Sequence, residues 1–169
     1  MTKPELTFIV VMGVSGCGKT TIGEALAEKL GFEFCDADDF HSQENKNKMA
    51  SGIPLTDIDR QPWLQTLSLL PRTYPKLVLA CSALKEKYRS QLAENVLDKD
   101  SLRVVFLDVS KAELERRLLS RQGHYMKIDM LQSQLATLER PKDDECVRVL
   151  CDGKSAKEVV QAVLRALGF

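Results

Sequence analysis

Residues 13–20 read GVSGCGKT and directly follow the apolar run TFIVVM at 7–12. The stretch fits the pattern G-x-x-x-x-G-K-[ST]. A β-branched run such as 7–12 suits a strand buried on both faces. After it, glycines let backbone N–H groups turn inward around phosphate oxygens without Cβ clashes. A helix is expected over 19–30, with Ile22, Leu26 and Leu30 at helical spacing and Gly31 placed to end it. Its positive N-terminal end adds to the attraction for an anion. Strand, loop and helix therefore occur in the order that a phosphate-binding loop requires. Its candidate residues are Gly13, Val14, Ser15, Gly16, Cys17, Gly18, Lys19, Thr20 and Thr21. Lys19 is expected at the β and γ phosphates of a nucleoside triphosphate, and the Thr20 hydroxyl on Mg²⁺. Cys17 occupies a free position of the loop and reads as a spectator, with a reactive thiol near a helix N-terminus as the alternative.

Outward from the loop, short apolar runs alternate with helical patterns. FEFC (32–35), LVLAC (77–81), RVVFLDV (103–109) and VRVLC (147–151) read as further strands. Helices are expected over 42–52, 57–70 and 85–95, the first two separated by Gly52 and Pro54. Another is expected after a Ser110–Glu113 capping box, and a last one capped by Ser155 and Glu158. Five strands alternating with helices imply an α/β fold, a parallel sheet covered on both faces. Ligands of such sheets sit beyond the carboxyl ends of the strands.

The chain has 169 residues, which suits one domain. Lys+Arg and Asp+Glu balance at 24 each, without the basic excess of a general nucleic-acid binder. An enzyme for an acidic substrate needs only a local basic pocket. Five cysteines without a CxxC pair read as reduced thiols, and with only two histidines a zinc site lacks ligands. Neither a signal pattern nor a membrane-length apolar run is present, so a cytoplasmic protein without a membrane partner is expected. A GTPase would carry N-K-x-D after a late strand. The chain has NKNK at 45–48, in the wrong place and without the aspartate.

Each remaining polar cluster follows a strand. In CDADDF, Asp36 and Asp38 alternate and are expected to leave the strand end in different directions. One can serve Mg²⁺ and the other can accept the proton of an incoming hydroxyl, with Asp36 the candidate for the metal if Asp38 takes the hydroxyl. CSALK places Ser82 and Lys85 after the third strand, and Lys85 and Arg89 are i, i+4 on an expected helix. With Arg60, beside the only tryptophan, Trp63, they make three cations for an anionic acceptor. A surface ion pair with Asp57 or Asp59 is the plainer reading of Arg60. In LERRLLSRQGHYMK (114–127), Arg117 and Arg121 are i, i+4 and read as arginines of a lid that closes over the triphosphate. His124 is a candidate hydrogen-bond partner for a hydroxylated substrate.

Taken together, MGVSGCGKTT (12–21), DADDFH (36–41), NKMASGIPLTDIDRQPWLQTL (47–67), LACSALKEKYR (79–89), RLLSRQGHYM (117–126) and LQSQLATLERP (131–141) resemble gluconokinase. The likeness runs in order from about residue 8 to 141. It implies a P-loop NTPase three-layer fold similar to shikimate kinase, with a five-stranded parallel sheet in the order 2-3-1-4-5, helices on both faces and a lid. The whole chain, 1–169, is then one kinase domain, with an acceptor-binding region at about 36–70 and the lid at about 117–135. The resemblance further implies ATP and Mg²⁺ as cofactors, and transfer to the 6-hydroxyl of D-gluconate to give 6-phospho-D-gluconate. It implies Asp38 as the carboxylate at the accepting hydroxyl, Arg60 as the cation on the substrate carboxylate, and a homodimer. Cys17 stands where a serine is common, and Ser42 where a proline is common. The rival readings are a kinase of the same build with another small acceptor, and a nucleotide-binding module without turnover.

Overall fold

The computed structural model describes residues 5–120 and 125–169, with the backbone alone over 125–129. Five strands, β1 (Phe8–Met12), β2 (Glu33–Asp36), β3 (Leu77–Ala80), β4 (Leu102–Asp108) and β5 (Val147–Leu150), form one parallel sheet in the order β2-β3-β1-β4-β5. The expected order is thereby met. Crossovers are made by α1 (Lys19–Leu30), α2 (Gln43–Ala50), α3 (Asp57–Thr73), α4 (Glu86–Leu92), α5 (Lys111–Leu119) and α6 (Tyr125–Thr137); α7 (Ala156–Leu167) closes the chain.

β1 is buried throughout, and its period-2 alternation divides the core. Ile9 and Val11 pack with Ile22 and Leu26 of α1 and Val160 and Val163 of α7. Phe8, Val10 and Met12 face the opposite layer, where Trp63, Leu64 and Leu67 of α3 meet Tyr88 and Leu92 of α4. Helices on both faces follow from strands that are apolar on both sides.

Two local expectations change. Ser110 accepts from the N–H of Glu113, but the Glu113 carboxylate is taken by Arg116 and Arg117, and the Ser110 N–H goes to Asp152. The box is therefore half formed. A full capping box starts α3 instead, between Thr56 and Asp59, and the one on Ser155 and Glu158 forms as read. The expected helix 85–95 starts only at Glu86, because Lys85 has extended backbone (φ −105, ψ 146) and is its N-cap residue.

Candidate active site

The loop Gly13–Gly18 leaves β1 at the carboxyl edge of the sheet. Gly13 has φ 154, and a Cβ there would come within 2.5 Å of Cys17 Sγ. Gly16 and Gly18 follow at φ 87 and 96. Val14 and Cys17 are buried, so the loop is anchored by two apolar side chains while its glycines turn. No side chain caps the N-terminus of α1, which leaves backbone N–H groups and the helix dipole available to an anion. Lys19 Nζ rests on the carbonyl of Val14 at 3.2 Å. Burial pushes the Cys17 thiol above its ordinary value, against the pull of Lys19, so the spectator reading fits it better than a reactive thiolate.

Thr20 and Asp36 meet across the loop. The Thr20 hydroxyl donates to Asp36 Oδ2 at 2.9 Å, while Asp36 Oδ1 accepts the N–H of Asp38 at 3.0 Å. The sequence anticipated strand alternation here. In fact β2 ends at Asp36 and the backbone turns at once into a 3₁₀ turn, Ala37–Phe40, with Asp36 as its cap. Asp36 and Asp38 therefore share one corner. Burial first, then the Asp36 carboxylate, raise the Asp38 carboxyl above the usual range, and Lys19 opposes them. Among the described residues no cluster of three metal-ligating side chains exists. Thr20 and Asp36 fit a Mg²⁺ that takes its other oxygens from phosphate and water, as that ion commonly does.

A second cluster lies between α3 and α4. Asp57 holds Lys87, the Tyr88 hydroxyl and, at 3.5 Å, Lys85. Hydrogen bonds from Lys87 and then Tyr88 keep the Asp57 carboxyl well below the usual carboxylate range. Burial, then Asp57, push the Tyr88 phenol up to about 12. Arg60 forms an ion pair with neither Asp57 nor Asp59 among the described contacts. Its Nη1 donates to Leu55 O at 2.7 Å and to the Tyr88 hydroxyl at 3.3 Å, and its guanidinium lies over the Tyr88 ring. Asp59 is held by Lys48 instead.

Arg89 is not part of this cluster, contrary to the i, i+4 reading. It is 8% exposed and donates to Ala83 O at 2.8 Å and Glu139 O at 2.9 Å. The cause is Lys85: as an extended N-cap it leaves the helical register that would have aligned the two. Ala83 has φ 46, rare for a residue with a Cβ, and Arg89 ties down its carbonyl. Glu139 completes the clamp, donating its N–H to Leu84 O and accepting the N–H of Glu86. Arg89 is thus a buried brace for the turn that carries Ser82 and Lys85. The Ser82 carbonyl accepts the N–H of Gly13 at 3.4 Å, which puts that turn beside the phosphate loop.

Of the residues expected in a lid, Arg117 reaches the loop: Nη1 donates to Gly16 O at 3.1 Å and Nε to Glu113 at 3.1 Å. Arg121 and His124 lie outside the described residues. Sequence reasoning missed Gln134 of α6, whose side-chain oxygen accepts the Ser15 N–H at 2.6 Å. It also missed the roles of Asp57, Tyr88 and His41. For the first two the signal was present, since TDIDR and KEKYR pair opposite charges around a tyrosine.

A phosphate loop, a hydroxyl–carboxylate pair beside it and a polar cluster between two helices define a small P-loop phosphotransferase. A family model described as shikimate kinase matches residues 15–168. A probable gluconokinase of Dictyostelium discoideum is 46% identical over 151 residues, covering 85% of this chain and 75% of that protein. The gluconokinase of Gluconobacter oxydans (strain 621H) is 45% identical, covering 96% and 91%. The crystal structure of a gluconokinase from Sinorhizobium meliloti 1021 is 42% identical, with a TM-score of 0.87 and coverage of 99% and 93%. The chain belongs to the gluconokinase family, within the shikimate-kinase-like P-loop fold.

Proposed function

We propose that the chain transfers the terminal phosphoryl group of ATP to the 6-hydroxyl of D-gluconate, giving 6-phospho-D-gluconate and ADP. The observation that carries this reading is the Arg60 guanidinium. It uses Nη1 on the protein, and its Nε–Nη2 edge makes no bond among the described residues. That edge suits the two parallel hydrogen bonds of a carboxylate. Asp38, beside the phosphate loop, suits a hydroxyl. An acceptor with one carboxylate and a chain of hydroxyls fits both, and the family's members are named for such an acceptor.

ATP with Mg²⁺ supplies the phosphoryl group and, at the metal, charge neutralisation. In this reading Lys19 and the backbone N–H groups of the loop and first helical turn bind the phosphates, other than those of Gly13, Ser15 and Cys17, which the protein itself occupies. Thr20 and Asp36 would hold the metal. Asp38 orients the 6-hydroxyl and takes its proton late in transfer, when the oxygen becomes acidic. Arg60, Lys85 and Ser82 position the acceptor, with His124 a further hydroxyl partner. Arg117 and Arg121 neutralise charge as the lid excludes water, which would otherwise compete as acceptor. Positioning and electrostatics supply most of the catalysis in such transfers.

Two variants test the assignment. Asp38→Asn is expected to lower kcat by roughly 10²-fold, the scale of general acid–base help. Arg121→Ala is expected to lower it by about 10³-fold if Arg121 acts as an arginine finger does. A folded Asp38→Asn protein of full activity removes Asp38 from the role of base, and near-normal kcat in Arg121→Ala removes Arg121 from its own.

A further inference from the structure

His41 ends the 3₁₀ turn that carries Asp38, and its N–H returns to the Asp38 carbonyl at 3.4 Å. The side chain is 8% exposed and stacks on Trp63, with ring centroids 4.1 Å apart and planes at 15°. Trp63 is itself fixed by its indole N–H, which donates to Ala37 O at 2.7 Å. The imidazole thus has a rigid floor and a rigid backbone anchor. A stacked, buried histidine could serve packing alone, but its hydrogen bonds specify more.

Asn45 Nδ2 lies 2.8 Å from the carbonyl oxygen of Asp59. A carbonyl only accepts, so the amide nitrogen of Asn45 must be the atom that faces it. The same NH₂ lies 3.4 Å from His41 Nδ1. It can only donate there, so Nδ1 carries a lone pair. A neutral imidazole with a free Nδ1 lone pair carries its proton on Nε2. The tautomer is therefore dictated by a carbonyl 18 positions along the chain. Burial, then the charges of Arg60 and Lys46, hold the ring neutral and lower its pKa to about 4.

The Nε2–H donor has no protein acceptor among the described residues. Nor is Nε2 among the atoms closed off from solvent without a partner; Gln91 Oε1 is the described atom in that condition. Among the described residues the donor is left to a ligand. His41 ends the turn that carries Asp38, and Arg60 is close enough to act on its charge.

We propose that His41 is a specificity-determining residue, donating Nε2–H to a hydroxyl of the acceptor's carbon chain between the carboxylate end at Arg60 and the reacting end at Asp38. This rests on the gluconokinase reading of the site. A carboxylate has the cations Arg60 and Lys85 to choose from, whereas a neutral, stacked donor of fixed tautomer suits an uncharged oxygen. Asn45, Asp59 and Trp63 act on the acceptor only through His41 and are positioning residues.

The test begins with ADP release by the wild-type protein on D-gluconate and on its 2-, 3-, 4- and 5-deoxy analogues. His41→Phe keeps a flat ring over Trp63 and removes the donor; His41→Gln restores an N–H. His41→Phe is expected to raise KM for gluconate about tenfold, the order of one hydrogen bond, with KM for ATP unchanged. His41→Gln recovers part of the loss. One deoxy analogue costs the wild type a similar factor and costs His41→Phe nothing. An unchanged KM in His41→Phe, or deoxy penalties equal in both proteins, overturns the proposal.

The wild type alone provides a second readout that does not depend on the variants folding. The chain has only two histidines, so ¹⁵N-histidine NMR resolves the ring. It is expected to show a bare Nδ1 and a protonated Nε2 that shifts when the acceptor saturates. A protonated Nδ1, or an Nε2 signal indifferent to the acceptor, overturns the proposal. If the wild type turns over a different polyhydroxy acid, the gluconate assignment fails, and the same NMR titration with that acid decides the role of His41.

Discussion

His41 also makes a thermodynamic prediction. Its pKa is lowered to about 4 in the folded chain, against 6.5 for a free imidazole. As pH falls below about 6.5 the unfolded chain takes up the proton first, so folding loses stability until the folded ring titrates near 4. The contribution is fully present above pH 6.5 and is lost between about 6.5 and 4. Moving from about pH 7.5 to 5.0 should cost up to ~2 kcal/mol from this residue alone. For a chain of this size that is about 4–8 °C in Tm. The assay is urea unfolding followed through Trp63, the only tryptophan, at both pH values in wild type and His41→Gln. Glutamine does not titrate, and every other group is shared, so the difference of differences isolates the imidazole. The wild type should lose about 1–2 kcal/mol more than the variant over this interval. Equal losses would mean that the ring is as easily protonated folded as unfolded, and the fixed-tautomer reasoning would fall with it.

Two further predictions concern residues whose roles the structure changed or decided. Arg89→Ala leaves the Ala83 and Glu139 carbonyls without their donor and should cost about 2–4 kcal/mol of stability. Thermal melting checks this, and an unchanged Tm would show that Arg89 does not brace the turn. Cys17, buried and with a raised thiol pKa, should resist iodoacetamide at neutral pH in the folded protein and react once urea unfolds it. Rapid modification of native protein, slowed by ATP, would restore the reactive-thiol alternative.

The phosphate loop was legible because its physics is local. Three glycines, a lysine and a hydroxyl do their work within eight residues, between a strand and a helix that announce themselves by period. The two-faced sheet was legible for the same reason, since Phe8, Val10 and Met12 and their neighbours Ile9 and Val11 are apolar on both parities. The cluster between α3 and α4 was less so. Lys85 and Arg89 share a face only if the helix includes both, and the extended backbone at Lys85 sends one to Asp57 and the other to backbone carbonyls. Periodicity places a side chain on a face but does not say which distant carbonyl waits there. Strand alternation would send Asp36 and Asp38 in different directions, yet a 3₁₀ turn starts at Asp36 and joins the two at one corner. His41 was hidden most thoroughly. Its tautomer depends on Asn45, Asp59 and Trp63 together, and no spacing rule links those residues.

The central claim is that an anionic, hydroxylated acceptor receives the phosphoryl group held by the loop at 13–20. The most direct test is ADP release by the purified protein with Mg·ATP and, in parallel, D-gluconate, shikimate, glucose and AMP, with the phosphorylated position of the product read by ³¹P NMR. Rapid turnover with gluconate alone, and phosphate on its 6-oxygen, is the predicted result. Turnover with shikimate, glucose or AMP instead, or with no acceptor while ATP still binds, would contradict the account of the acceptor site.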